Sequence, residues 1–429
     1  MSKTPVRDTA PRPSSNPASR AQRFRAVRAK TLALVAPLSA EDCAIQSMTE
    51  ASPAKWHLAH TTWFFETFIL ARRDPEREPF HPAFRMLFNS YYNAVGERHP
   101  RPQRGLLSRP SLDEVLAYRA AVEDDLAPLI GGELDEELEA LVELGIQHEQ
   151  QHQELLLTDV KHMLSCNPLR PAYQKTWPLT SVEARRPSWI GVAGGKREIG
   201  HGGKGFSFDN ETPRHAVWID EFAMASHPVT NGEFIAFIED GGYRRPELWL
   251  SLGWDHAAAK AWEAPLYWER RDGAWHMFTL HGMAPVEPNT PVCHVSFFEA
   301  EAYARWAGAR LPTEAEWEAA MQSAPVEGNF MESAMLHPLA LRELAAPGTF
   351  AQAFGDVWEW TRSDYAPYPR FRPAPGAVGE YNGKFMCNQY VLRGGSCASA
   401  ASHIRATYRN FFPAEARWQF SGLRLARDA

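Results

Sequence analysis

From about Ala21 to Ser165 the chain reads almost entirely helical, with apolar residues recurring at spacings of three and four over 112–129 and 135–164, the period of α-helices that bury one face. The pattern predicts four helices: Arg20 to Ala36, Trp56 to Ala71, Leu112 to Leu129 and Asp135 to Leu164. Ser111 followed by Glu114 forms a capping box that starts the third. Helices of this length imply an antiparallel bundle, and a bundle core is where facing helices assemble metal sites. Between the second and third lies a long irregular stretch, 74–110, containing Tyr91, Tyr92, Arg101 and Arg104. Its aromatic content predicts an ordered, functional loop.

After a proline-punctuated stretch at 166–178, the helical period gives way to short apolar runs rich in glycine and tryptophan. Capping boxes at Thr230 with Glu233, Ser296 with Glu299 and Thr313 with Glu316 mark a few short helices, one ending near Gly308. Residues 355–360 and 391–396 read as irregular α+β structure. The expected organisation is a flexible tail over 1–20, a helical bundle over 21–165, a linker over 166–185 and an α+β domain over 186–429.

Composition narrows the function. A net charge of −7 gives no electrostatic reason to expect a nucleic acid or an anionic membrane as partner. The five cysteines are dispersed and contain no C-x-x-C, which argues against a disulfide framework or a thiolate metal site and fits a reducing cytoplasm. No run approaches the roughly 18 apolar residues of a membrane span, and residues 1–20 lack the apolar core of a secretion signal.

The strongest chemical signal is His148 and His152, four apart on one helical face and able to present both imidazoles to one ion. A second pair, His57 and His60, lies on the second helix, and the bundle would bring His60 towards the first pair. Three nitrogen ligands would leave coordination positions open for chemistry. Glu149 completes a literal H-E-x-x-H, the zinc-protease pattern in which the glutamate is general base. Against that reading, the next histidine downstream, His162, falls on the same helix with no intervening turn. Spacing alone does not separate iron from zinc.

Five segments in order carry a resemblance: WHLAHTTWFFE at 56–66, HEQQHQE at 148–154, LPTEAEWE at 311–318, GDVWEW at 355–360 and YRNFFP at 408–413. They resemble the iron(II)-dependent sulfoxide synthases of ergothioneine biosynthesis, the EgtB family. That family joins a DinB-like four-helix bundle to a formylglycine-generating-enzyme-like, C-type-lectin-like α+β domain. The resemblance runs from about Ala21 to Arg427. It implies O2-dependent joining of the C2 carbon of hercynine, an Nα-trimethylated histidine, to the sulfur of cysteine or γ-glutamylcysteine, giving a sulfoxide. It further implies Fe(II) held by His60, His148 and His152, with His57 as the alternative to His60. Tyr91 or Tyr92 would deliver a proton, and Arg101 and Arg104 would clamp a carboxylate. Gln151 would lie near the substrate imidazole. Asn410, Phe411 and Phe412 would surround a trimethylammonium group, which has no hydrogen to donate and needs aromatic faces. Family members that use γ-glutamylcysteine resemble Arg-Asn-Trp-Asp where this chain has Arg409, Asn410, Phe411 and Phe412. Phe412 cannot answer an ammonium group, so free cysteine is the expected sulfur donor.

Under this resemblance Glu149 becomes a structural carboxylate, and the pocket is expected where the two domains meet. The paired cysteines of formylglycine-generating enzymes are missing, Cys397 standing alone, so that activity is not expected. Two other readings compete: a selenium-carbon bond-forming enzyme on the same fold, and a zinc hydrolase using Glu149.

Overall fold

The computed structural model describes residues 19–175, 187–341, 348–374 and 376–429. Residues 1–18 of the expected tail and 176–185 of the expected linker lie outside them. The first part is a bundle of four long helices: Arg20–Val35, Ala54–Phe65, Leu112–Gly131 and Glu136–Cys166. Three of their starts follow from side-chain caps. Ser19, Ser111 and Asp135 each accept the backbone N–H three residues on, satisfying donors that a first helical turn leaves unpaired.

The second helix is buried along its whole length. Leu58, Ala59, Trp63, Phe64 and Phe65 are fully enclosed, and each large apolar side chain contributes about 1.5–3 kcal/mol on burial. A helix with no solvent face lies in the core, so His57 and His60 are carried into the interior with it. Beyond Phe65 it widens into a π turn over Glu66–Leu70 and ends at Arg73. There Glu66 accepts from the Tyr118 hydroxyl at 2.5 Å and the Phe80 amide at 3.0 Å.

The fourth helix divides its polar residues among three neighbours. At about 100° per residue, His148 and His152 share one face, and Glu149 and Gln153 lie on the next, against the first helix. Gln147, Gln150, Gln151, Glu154 and Lys161 form the remaining stripe, which meets the second domain. Glu154 accepts from Trp358 Nε1 at 2.7 Å, Ser396 Oγ at 2.6 Å and Ser399 Oγ at 2.7 Å, tying the two domains together in the interior.

The second part is α+β, as expected. The predicted capping boxes open helices Asn231–Glu239, Phe297–Trp306 and Glu314–Met321. Gly308, with φ of +64°, follows the end of the second of these. One sheet runs in the order Asn410–Phe412, Tyr390–Arg393, Trp358–Asp364, Ser421–Gly422. Its first two pairings are antiparallel and the last is parallel. No helix among the described residues is long and apolar enough to cross a membrane.

Candidate metal centre

His60 from the second helix meets His148 and His152 from the fourth, each offering a ligand atom, with those atoms all within 4.8 Å of one another. Phe64 packs against His148 at 4.8 Å, and Trp56 and Trp63 stack on His60 at 4.5 and 5.5 Å. His60 Nδ1 lies 2.6 Å from the carbonyl of Phe88, so this nitrogen carries the proton. His60 Nε2 is buried and has no hydrogen-bond partner among the described residues, as is true of both nitrogens of His148. Burial, reinforced by neighbouring imidazoles, pushes His60 and His152 well below the usual histidine range. It brings His148 down to about 3. All three rings are therefore neutral at ordinary pH, the form that donates a lone pair to a metal. Orphaned, buried nitrogens converging from neutral imidazoles fit a divalent ion.

His57, the alternative third ligand, stands behind the trio. Its Nδ1 is 2.8 Å from His152 Nδ1 and its Nε2 is 3.0 Å from Asp159 Oδ2. Glu149 is fully buried on another face of the helix, pairing with Arg28 at 3.0 Å and with Arg119, and accepting from Thr31 at 2.6 Å. Burial alone would raise its pKa, but Arg119 and Arg28 hold it at about 2. A carboxylate so committed is poorly suited as general base, which removes the main support for the hydrolase reading.

The loop after the second helix closes over the trio. Asn89, fully buried, donates to the carbonyls of Tyr92, Gly96 and Glu97 and accepts the Tyr92 amide at 3.1 Å, fixing the Tyr-Tyr pair. Tyr92 is fully enclosed, 5.6 Å from Trp63, and its hydroxyl has no partner within hydrogen-bond geometry among the described residues. Tyr91 is half-buried, against Tyr381 at 6.0 Å and Phe385 at 5.2 Å. Burial raises both phenols; for Tyr91 the nearby Tyr92 and Tyr381 hydroxyls and the charges of Arg101 and Arg104 oppose the rise.

Arg104 is 2 % exposed and lies flat on Trp56, its guanidinium carbon 3.4 Å from the ring centroid. It donates to Ser52 Oγ at 2.9 Å and Ser90 Oγ at 3.1 Å. Its Nε has no partner, and no carboxylate pairs with it among the described residues. A buried charge of this kind favours an incoming anion. Arg101 is not gathered in: it is exposed and donates to the carbonyl of Glu50.

Residues of the second domain complete the enclosure. Gln151 donates to the Tyr408 hydroxyl at 2.6 Å and accepts from the Tyr381 hydroxyl, so both ends of its amide are engaged. Tyr381 thereby comes within 5.7 Å of the His148 ring. Phe411 stacks on Tyr365 at 4.0 Å and faces Phe385, which in turn contacts Tyr91. Strand alternation puts Phe412 on the opposite side, towards Trp418, while Asn410 turns its amide oxygen back to the Phe411 N–H. A cleft of about 510 Å³ opens at the junction, lined by Gln147, Phe206, Ser402 and Arg405 among others. A larger cavity, about 920 Å³, lies within the second domain beside Trp254 and Trp268 and includes none of these candidates. Sequence reasoning missed Asn89, Asp159 and Tyr381; the segment carrying Tyr381 has no periodicity to draw attention to it.

Fold and donor set together define a class: a helical bundle with a buried histidine trio whose geometry fits a metal ion, roofed by a second, α+β domain. Residues 23–156 match the DinB superfamily, and residues 176–344 and 345–429 match the sulfatase-modifying factor enzyme 1-like domain. The hercynine oxygenase of Mycolicibacterium thermoresistibile is 34% identical over 415 residues, covering 88% of this chain and 87% of that protein. That of Mycobacterium tuberculosis is 33% identical over 430 residues, covering 94% and 96%. The second domain alone is similar to a formylglycine-generating enzyme of Streptomyces coelicolor, at 29% identity over 289 residues, 56% of this chain and 89% of that protein. The chain belongs to the hercynine oxygenase family and is an enzyme of oxidoreductase type.

Proposed function

We propose that this enzyme is a non-haem iron(II) sulfoxide synthase that joins the sulfur of cysteine to C2 of the hercynine imidazole, giving hercynyl-cysteine sulfoxide. The observation that carries the proposal is the convergence of His60, His148 and His152, all neutral, with His60 Nε2 and both His148 nitrogens orphaned, in a chain whose relatives over most of its length are hercynine oxygenases. Three imidazoles on one side of an ion leave room for a thiolate, a substrate imidazole and O2. Iron(II) held there would supply the redox chemistry that lets O2 react with a thiol and an aromatic carbon. The reaction balances: the C2–H and S–H bonds are lost, C–S and S–O bonds form, and the second oxygen atom leaves as water with both hydrogens.

The chain's own groups fit the remaining tasks. Arg104, buried and without a carboxylate partner among the described residues, is suited to bind the substrate's carboxylate. Tyr92 is favoured over Tyr91 as proton donor, because its side chain is fully enclosed and its hydroxyl makes no hydrogen bond of good geometry among the described residues; burial raises its phenol, as it does that of Tyr91, so it keeps its proton until a reduced oxygen atom takes it. Gln151 acts by holding Tyr381 beside His148. Phe411, Phe385 and Tyr365 supply the aromatic faces that a trimethylammonium requires. Phe412, which has no carboxylate to meet an amino group, supports cysteine over γ-glutamylcysteine.

The test is anaerobic reconstitution with Fe(II), followed by O2 with hercynine and either cysteine or γ-glutamylcysteine, with products read by mass. Sulfoxide formed with cysteine is expected; product only with γ-glutamylcysteine overturns the donor, and no sulfoxide with either overturns the reaction. His148→Ala and His152→Ala should lose Fe(II) while the bundle stays folded by circular dichroism. Stoichiometric iron in either variant would sink the ligand assignment.

A further inference from the structure

We infer that Asp159 acts through His57 as a positioning device that selects which ring nitrogen His152 turns towards the metal. The inference rests on His60, His148 and His152 being the ligands, and extends one hydrogen bond beyond them. Asp159 lies seven residues after His152 on the same helix and is 6 % exposed. Its Oδ2 accepts the Ser52 amide at 2.8 Å and faces His57 Nε2 at 3.0 Å. An amide N–H only donates, so Oδ2 presents lone pairs, and the proton between Asp159 and His57 belongs to His57 Nε2.

A neutral imidazole carries one proton, which leaves His57 Nδ1 as an acceptor. The atom facing it at 2.8 Å is His152 Nδ1. Two bare lone pairs cannot meet at that distance, so His152 Nδ1 carries a proton and donates it. His152 Nε2 is then left with the lone pair. A doubly protonated His57 would reverse the order, placing the proton of His152 on Nε2 and leaving nothing to offer an ion. His60 reaches the same result by a separate route, since its Nδ1 faces the Phe88 carbonyl, which only accepts. The orders agree: both rings keep their lone pair on Nε2, one set by a backbone carbonyl and one by Asp159 through His57. Partners of this kind typically change metal affinity 10–100-fold when removed.

Two measurements test this. Long-range proton-nitrogen correlation on metal-free protein with labelled histidine reads the tautomers directly, with His57→Gln identifying the signals. The expected pattern is Nε2–H for His57 and Nδ1–H for His152; the reverse pattern overturns the inference whether or not the protein takes up iron. Anaerobic Fe(II) affinity by chelator competition should fall about 10–100-fold in Asp159→Leu and His57→Phe. Asp159→Asn, whose amide oxygen still accepts from His57, and His57→Gln, whose amide oxygen still accepts from His152, should recover much of it and cover the case in which the larger changes fail to fold. Parent-like affinity in Asp159→Leu and His57→Phe overturns the positioning role. A parent protein that binds no Fe(II) instead overturns the ligand reading, leaving the tautomer measurement to decide this one.

Discussion

As the proposed proton donor, Tyr92 sets function against stability within one side chain. An enclosed hydroxyl without a good hydrogen bond costs on the order of 1–3 kcal/mol, and the Tyr92 hydroxyl makes none of good geometry among the described residues, its interaction with the Tyr91 hydroxyl only raising the phenol further. Tyr92→Phe is therefore expected to raise the melting temperature of the metal-free protein while lowering sulfoxide formation about 10²-fold or more, with Fe(II) binding unchanged. A thermal melt and product analysis by mass read both halves; undiminished turnover would shift the proton donor to Tyr91 or Tyr381. Arg104 makes a parallel case. Arg104→Met removes a buried charge that lacks a carboxylate, so folding should not suffer. The KM for the thiol substrate should rise about 10–100-fold, the worth of a charge-assisted hydrogen bond.

At the scale of elements, the Tyr-Tyr loop is held from both domains. Asn89 organises it from within, and Glu380 of the second domain accepts the backbone amides of Asn93 at 3.0 Å and Ala94 at 2.8 Å. Lys384 completes the clasp, over the Tyr91 ring at 4.8 Å. Glu380→Ala should speed amide exchange at Asn93 and Ala94, measured by mass spectrometry, and lower turnover without loss of Fe(II). Unaltered exchange there would mean that Asn89 suffices. What the sequence made legible follows the same division. Helices with caps and periodicity were readable, because Ser111 with Glu114 and Ser296 with Glu299 act within one turn. The second helix was readable in place but not in its π turn, where Glu66 is met by Tyr118 and Phe80 from outside the helix. His148 and His152 were legible because helical spacing alone pairs them. His60 was preferred to His57 only through the family resemblance, since both lie on one buried helix; the contact of His57 with Asp159, a hundred residues on, is one that no local pattern records. Tyr381 reaches His148 beside Gln151, a contact made by docking of domains that no local pattern records.

At the scale of the whole molecule, the domain junction carries one costly group. Lys161 is 1 % exposed, 2.6 Å from His294 Nε2 and framed by the rings of Phe420 and Tyr267. Burial pushes its amine down to about 8, with Cys293 and Cys397 opposing. The sign follows from linkage: below about 8 both states are protonated and the burial cost is full. Between there and the unfolded value of 10.5 the unfolded chain holds a proton that the folded one has released, so this group's contribution improves as pH rises. Lys161→Met should stabilise the protein at pH 7 by roughly 1–3 kcal/mol and flatten the dependence of denaturant midpoint on pH across that window. A variant less stable at pH 7 would show that the amine's contact with His294 outweighs its burial.

The fourth helix has a consequence for how this sequence can change over time. Its residues face the histidine trio, the bundle and the second domain from three sides at once, so a single inserted or deleted residue between Gln147 and Lys161 would turn every later side chain by about 100° and misdirect all three faces together. In a library of one-residue insertions, this stretch should be a gap without survivors. Point substitutions there should instead be tolerated or rejected with a helical beat, according to which of the three neighbours each position faces.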